Sequence, residues 1–455
     1  LFFIPLPYFS HFIAAVKTAE LLARRHHSRL RISVLLLNFP PDDRITSYIS
    51  GAEPDLNFIA LPPPSAADIP NEKPGRGAIL KLIEAQKPAV RDAVSGAFQG
   101  RKSNIPAGFV VDMFCATAMV DVADEFGAPA YVYFTCSAAT LALIFHAQSR
   151  RDEFGEDLTA KCRNPGELLA VPGFKNPVPT SVMPDLIFFE EHRDEFFAMS
   201  SRFRRTKGIL INSFLEFEDR AITAMSEDGR LPPVYPVGPV LQDSGEDARR
   251  KYGEIMDWLD EQPDSSVVFL CFGSMVAFEG DQVREIAAGI ELSGHRFLWS
   301  LRKPPPPDGN PFSSVEYEDF GEVLPEGLLN GGKGMVMGWA PQTAVLAHRA
   351  VGGFVSHCGW NSTLESVWFG VPVAAWPMAA EQQANAFQLV KEFEMAVEIK
   401  IDYRSGGGEI VAAERIKDAI GKLMDLKNPI RLKLQELKKK SRASLSEGQS
   451  SAMFL

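Results

Sequence analysis

Residues able to do chemistry crowd one stretch of this sequence. Between Trp339 and Gln382, WAPQTAVLAHRAVGGFVSHCGWNSTLESVWFGVPVAAWPMAAEQ, stand a lone indole, Ser356-His357, a Gly-polar turn and the acidic-amide pair Glu381-Gln382. Residues 351–356 read as a short buried strand, and Asn361, Ser362 and Thr363 are of the types that cap helices. A strand, a glycine turn and a helix start bring unpaired N–H groups and the positive end of a helix dipole together, which makes an anion pocket. Gly370 is placed for the left-handed cap, and Pro372 blocks continuation.

The elements that must position these residues alternate along the chain. Residues 1–6 read as a buried first strand; Ser10 is a plausible cap, and Phe12, Ile13, Val16, Ala19, Leu22 and Ala23 follow at helical spacing. His11 therefore sits at a helix N-terminus beyond a strand, where doubly wound sheets place ligands. Further strands are expected at 32–37, at 109–111 with Asp112 at the C-terminal end, at 131–134 and at 208–212. Strands alternating with helices imply a parallel sheet, hence an α/β fold. Pro172, Pro177, Pro179 and Pro184 loosen the pattern before the last of these strands.

A second α/β series starts at 267–272, runs into Gly273-Ser274, and continues with strands at 297–300, 335–337, 351–356 and 373–376. A proline run at 304–307 opens an irregular insertion. The expected organisation is a first domain over 1–240, a polar linker at 241–252, a second domain over 253–435, and a C-terminal helical segment, 436–455, packing back toward the first domain. Apolar Ile430, Leu434 and Leu437 mark an amphipathic helix, with Lys438-Lys439-Lys440 as its solvated face.

With 455 residues the chain exceeds one ordinary core, and 45% hydrophobic with 23% charged residues places it among soluble globular proteins. Its 47 basic and 58 acidic residues leave a net charge of -11, which argues against nucleic-acid and anionic-membrane partners. Any bound anion must be held by local N–H groups. Five cysteines without paired spacing indicate reduced thiols, and no apolar run is long enough for a membrane span, so a cytoplasmic location is expected. His357-Cys358 lacks companion ligands at metal-binding spacing, so no metal is expected.

The stretch resembles the signature box of plant family 1 glycosyltransferases, which move a sugar from a UDP-sugar to small acceptors. The likeness is carried by Trp339-Ala340-Pro341-Gln342, His357-Cys358-Gly359-Trp360-Asn361-Ser362 and Glu381-Gln382, and it extends over nearly the whole chain. It implies the GT-B fold, two Rossmann-like domains facing a cleft, with acceptor held mainly by the first and UDP-sugar by the second. On this resemblance Trp339 stacks on uracil, the Ala340 backbone reads the base edge, Gln342 contacts the ribose and Glu365 accepts from the ribose hydroxyls. Ser274, His357, Asn361 and Ser362 hold the diphosphate through neutral or switchable donors, and Trp360, Glu381 and Gln382 address the sugar. Trp360 with Gln382 goes with glucose in this family, so UDP-glucose is the expected donor, without other cofactor. The same tetrapeptide Ser362-Thr363-Leu364-Glu365 is also a capping-box pattern, which would tie Glu365 to the helix end instead.

His11 matches the family's catalytic base and Asp112 its partner; a helix N-terminus is expected to disfavour the charged imidazole. The implied reaction is a single displacement with inversion, giving a β-glucoside. Phe9, Phe12, Phe114, Phe188, Phe189, Phe196 and Phe197 are candidates to line an apolar pocket for a flat phenolic such as a flavonoid, although core packing explains any one of them as well. Phe9-Ser10 precede His11 where the family carries Gly. A terpenoid or hormone acceptor, C-glycoside formation, and a UDP-sugar-binding protein without transfer activity are the alternatives. The nicotinamide oxidoreductase alternative predicts a G-x-G-x-x-G turn after the first strand, where Pro5-Leu6-Pro7-Tyr8 stands. A monomer is expected.

Overall fold

The computed structural model describes the chain except residues 27–28, 41, 52–54, 66–75, 99–104, 165, 242–249, 306–314, 330–331, 447 and 455. Two parallel sheets carry the molecule. The first is built from β1 (Phe2–Ile4), β2 (Ser33–Leu36), β3 (Asn57–Ala60), β4 (Phe109–Asp112), β5 (Ala130–Phe134), β8 (Gly208–Ile211) and β9 (Val234–Pro236), in the order β3-β2-β1-β4-β5-β8-β9. A small antiparallel pair, β6 (Leu168–Leu169) and β7 (Val178–Pro179), lies outside it. The second sheet contains β10 (Val267–Cys271), β11 (Arg296–Ser300), β12 (Gly334–Met337), β13 (Val351–Ser356), β14 (Val373–Ala375) and β15 (Ala396–Glu398), in the order β12-β11-β10-β13-β14-β15.

Each sheet reverses its winding once, between β1 and β4 in the first and between β10 and β13 in the second. At such a switch point the connections leave in opposite directions and open a crevice at the strands' carboxyl ends. The strands read as apolar runs because both faces are covered, and side chains alternate between them. Val267, Phe269 and Cys271 face one core, while Val268 and Leu270 face another.

The expected strands are all present, with ends within two residues of expectation. Three other strands of the two parallel sheets, β3, β9 and β15, had no sequence reading. All lie at sheet edges, where exposed Asn57 or half-exposed Tyr235 or Glu398 interrupts the apolar signal. Most of the expected linker, 242–249, lies outside the described residues. The expected boundary at 435/436 falls inside a continuous helix, Ile430–Ala443. Lys438 is not simply a solvated charge: its Nζ donates to the Phe369 carbonyl at 2.8 Å, capping the end of helix Trp360–Phe369, while Lys439 and Lys440 are exposed.

The two halves are joined by a shared apolar seam. Phe217, from the first half, stacks on Trp360 with ring centroids 5.7 Å apart and 8° between planes, and also meets Phe393 at 4.7 Å. Beside them the buried Glu218 carboxylate accepts from the Ala138 and Ala139 N–H groups at the start of helix Ala138–Phe154, from Ser213 Oγ and from Gln388 Nε2 of the second half. Beyond Ala443 the chain returns to the first half: Ser444 Oγ donates to the Gly238 carbonyl and Arg25 donates to the Leu445 and Ala452 carbonyls.

Candidate active site

β1 leads into helix Phe9–His26, whose opening is fixed by the Tyr8 carbonyl accepting the His11 and Phe12 N–H groups at 2.9 Å each. The helix thus starts ahead of the Ser10 cap that the spacing suggested. Across the switch point, Asp112 at the end of β4 places Oδ2 2.7 Å from His11 Nδ1, and its Oδ1 accepts the Phe114 N–H at 2.9 Å. The Asp112 side chain is inaccessible to solvent, while His11 is 19% exposed. An ionised carboxylate only accepts, so Nδ1 carries the proton and Nε2 holds the free lone pair.

Burial alone would lower the His11 pKa, but the charge and hydrogen bond of Asp112, with the charge of Glu381 from the second half, outweigh it and raise the pKa above its ordinary value. The helix N-terminus was expected to push the other way; two carboxylates close to the ring override a partial dipole charge. Thr135 Oγ1 lies 3.2 Å from Nδ1, and the Phe114 ring centroid is 5.6 Å from the imidazole.

The second switch point supplies a different environment. After β10 come Gly273, with φ +82°, and Ser274; after β13 come His357, Cys358 and Gly359. A Cβ on Gly273 or Gly359 would lie 2.8 or 2.5 Å from His357 Nε2, so the imidazole is seated between two positions that must lack a side chain. Cys358, fully buried, takes the left-handed φ of +61° and is held by its N–H donating to Ser356 Oγ at 3.1 Å. Burial drives the His357 pKa down to about 4, so this imidazole is neutral at physiological pH and does not switch there.

Helix Trp360–Phe369 is capped at its start by Gly359 without a side-chain bond, and it ends on Gly370 in the left-handed conformation. Asn361, Ser362 and Thr363 therefore lie in the first turn instead of capping it. Asn361 Nδ2 donates to the Ser10 carbonyl at 3.3 Å, directly linking the two switch points. Gln342 Nε2 donates to Ser362 Oγ at 2.8 Å and to Glu365 Oε2 at 2.7 Å. Glu365 is thus bound to Gln342, one turn inside the helix, and does not close a capping box. Its burial raises the pKa to about 7, against the lowering by hydrogen bonds from Gln342 and Thr343.

Trp339, beyond the end of β12, is half-buried; the guanidinium groups of Arg44 and Arg302 lie 5.6 and 5.7 Å from its ring centroid, and Ala340 beside it is buried. Glu381 and Gln382 follow β14. Gln382 Oε1 accepts from the Met378 and Ala379 N–H groups at 2.9 and 3.0 Å, which directs the amide's donors away from its own loop.

Three expected site residues are elsewhere. Trp360 is 3% exposed, its ring lies on Phe217, and its Nε1 donates to the Asn212 carbonyl at 2.7 Å, so its side chain belongs to the seam between the halves and not to a ligand pocket. Phe12 and Phe196 are fully buried: helical periodicity points Phe12 into one core, and Phe196 packs on Phe197 in another. Phe9, Phe114, Phe188, Phe189 and Phe197 are half-buried. Of these, Phe114 stands beside His11, Phe9 lies under Arg44, and Phe188 and Phe189 lie against Arg404. Phe197 lies under Arg151.

Residues that sequence reasoning missed include Thr135, Arg302 and Asn385. Thr135 and Arg302 stand just beyond β5 and β11, the same strand-end position that singled out Asp112, and that signal could have found them. Asn385 carries no such mark: its Nδ2 donates to the Cys358 carbonyl and its Oδ1 accepts from Ser137 of the first half. Among the described residues no three His, Cys, Asp or Glu side chains are grouped to hold a metal ion, and no helix is long and apolar enough to cross a membrane.

Two doubly wound sheets, with an imidazole-carboxylate pair at one switch point and an amide-lined, neutral anion pocket at the other, define a transferase of the GT-B fold. A sequence-family model, UDP-glucoronosyl and UDP-glucosyl transferase, matches residues 242–419. The chain is 47% identical over 455 residues to anthocyanidin 3-O-glucosyltransferase 1 of Manihot esculenta, covering 98% of each. It is similar throughout to a UGT transferase from Siraitia grosvenorii solved with UDP, at TM-score 0.88 and 42% identity over 99% of this chain and 97% of that one. Medicago truncatula UGT71G1 complexed with UDP-glucose matches at TM-score 0.83 and 39% identity, over 100% and 96%. The chain belongs to the plant family 1 UDP-glycosyltransferases, and it is a glycosyltransferase.

Proposed function

We propose that the protein transfers glucose from UDP-glucose, with inversion, to a hydroxyl of a small phenolic acceptor of the flavonoid type, giving a β-O-glucoside. The observation that carries this reading is the His11-Asp112 pair, 2.7 Å apart and opposite the anion pocket. His11 Nε2 takes the hydroxyl proton, the freed oxygen bonds to the anomeric carbon, and the bond from that carbon to the diphosphate breaks as UDP leaves. Asp112 orients the ring and stabilises the imidazolium as it forms. His357, Ser274, Asn361, Ser362 and the first turn of helix Trp360–Phe369 receive the diphosphate; Trp339, Ala340, Gln342 and Glu365 take the nucleoside; Glu381 and Gln382 take the sugar. The flavonoid-type acceptor is supported by the Manihot relative's name and the donor by the Medicago complex.

In this reading residues 1–240 bind the acceptor and 253–435 the donor, and the protein works as a cytoplasmic monomer without a metal. A mass-spectrometric screen with UDP-glucose and UDP-galactose in parallel tests it: flavonols and simple phenols should gain a hexose from UDP-glucose, and a panel in which only terpenoids or hormones react would refute the acceptor class. His11→Ala should lose about 10² to 10⁴ in turnover while still binding UDP, general-base help being worth that much; near-normal rates would remove His11 from the mechanism.

A further inference from the structure

The helical turn Asp185–Phe188 belongs to the first half of the chain, yet its first residue is fastened to the loop before Glu381 and Gln382. The Asp185 N–H donates to the Ala380 carbonyl at 2.8 Å, and the Ala380 N–H donates to Asp185 Oδ2 at 2.6 Å. One residue therefore engages both backbone groups of another across the seam. Asp185 Oδ1 is paired with Arg404 Nη1 of the second half. Arg404 Nη2 donates to the Met183 and Ser181 carbonyls at 2.6 and 3.2 Å, and its guanidinium lies 3.8 Å from the Phe188 ring centroid. With side chains 12% and 13% exposed, Asp185 and Arg404 form a pair shielded from water, unlike the many surface pairs of this protein.

Ala380 has φ +62°. A residue with a Cβ occupies that left-handed region only where its surroundings hold it there. The direction of the chain at Ala380 sets where Glu381 and Gln382 emerge, and the tight turn is completed by the Gln382 N–H donating to the Ala379 carbonyl at 3.2 Å.

We propose that Asp185 is a positioning residue for the donor sugar: with Arg404 it holds Ala380 in its left-handed conformation and so aims Glu381 and Gln382 at the glucosyl group. A residue of the acceptor half thereby governs recognition of the donor. This rests on the reading of Glu381 and Gln382 as the sugar-contacting pair.

The test is calorimetric binding of UDP-glucose and of UDP to the wild-type protein and to Asp185→Ala, with melting temperatures alongside. UDP lacks the sugar and reports the rest of the site. The affinity for UDP-glucose should fall about ten-fold, the worth of one charge-assisted contact, while the affinity for UDP stays the same. Adding Ala380→Gly to Asp185→Ala should recover a factor of about five, because glycine enters the left-handed region without the Cβ penalty. A parallel loss for both ligands, no loss for either, or no recovery by the glycine overturns the proposal. If Asp185→Ala does not fold, Arg404→Lys, which keeps the charge but loses the planar fork, is read in the same way: a selective loss for UDP-glucose supports the role and a parallel one overturns it. The two readings fail separately. Wild-type protein that binds UDP-glucose but transfers nothing refutes the transferase function, whereas active wild-type protein whose Asp185→Ala variant shows no split refutes only the positioning role.

Discussion

Asp112→Asn is expected to cost more than the loss of one charge, because the amide would force His11 into the wrong tautomer. The Asp112 carboxylate has two separate duties, Oδ1 accepting the Phe114 N–H at 2.9 Å and Oδ2 facing His11 Nδ1 at 2.7 Å. An asparagine has one oxygen and one NH₂ group, and leaving the Phe114 N–H without an acceptor at this closed site costs roughly 1–3 kcal/mol. The oxygen therefore stays with Phe114 and the NH₂ turns to His11. Nδ1 must then accept, the proton moves to Nε2, and the lone pair that would receive the acceptor's proton is gone. The corresponding change in a Ser-His-Asp triad lowers kcat about 10⁴-fold, or roughly 5.5 kcal/mol of barrier, and a similar loss is expected here. Asp112→Ala imposes no tautomer and should be less impaired than the near-isosteric Asn variant. Initial rates at saturating UDP-glucose, with calorimetric UDP affinity unchanged as the control for folding, decide the matter. An Asn variant as active as the Ala variant, or one retaining more than about a hundredth of wild-type turnover, would refute the tautomer argument.

Because Asp112 and Glu381 raise the His11 pKa, and a protonated ring cannot accept a proton, kcat/KM should fall as pH drops through a value above the ordinary 6.5; in Asp112→Ala that limb should move to lower pH. Glu365 titrates at about 7 without ligand, and ribose hydroxyls donating to it favour its ionised form, so UDP-glucose affinity should weaken about ten-fold from pH 8 to pH 6. UDP-glucose is the right probe because, unlike UDP, it has no phosphate ionisation near pH 6, and Glu365→Gln should flatten the profile. Trp360→Phe preserves a ring for Phe217 but leaves the buried Asn212 carbonyl unpaired, at a cost of about 1–3 kcal/mol, whereas Trp360→Ala should cost about 3–5 kcal/mol. Denaturant unfolding measures both, and a Trp360→Ala protein of normal stability would deny it a place in the seam.

The central strands were legible because burial on both faces writes them as unbroken apolar runs, as in the VVFLC of β10 and the VGGFVS of β13. Three of the four edge strands were not, since segments such as NFIA and AVE share their faces with water; only β12, GMVM, was. Functional positions at strand ends were legible for the same topological reason, and Asp112, Ser274 and His357 all follow it. Side-chain direction was not. Nothing in HCGWNS says that the tryptophan turns away from the pocket toward Phe217 while its neighbours stay at it, because that choice depends on Asn212 and Phe217, nearly 150 residues earlier in the chain. Nor does an Asp at the start of a four-residue turn announce that its partner is Ala380.

Charge is divided between the two switch points in a way that suits the proposed displacement. On the acceptor side, Asp112 raises the basicity of His11 and compensates the positive charge it gains, with Glu381 of the second half adding its charge. The same carboxylates would repel a diphosphate, and there the donor pocket offers an imidazole held neutral near pKa 4 and the N–H groups of a helix start capped by glycine. A protein with a net charge of -11 can thus receive a polyanion without a cationic surface, through dipoles fixed before the ligand arrives. Asn361, bonded to the Ser10 carbonyl next to His11, keeps these two environments at a set distance. The proton is taken up on one side of the seam and the leaving group's negative charge is received on the other, so neither charge develops in the field that would oppose it.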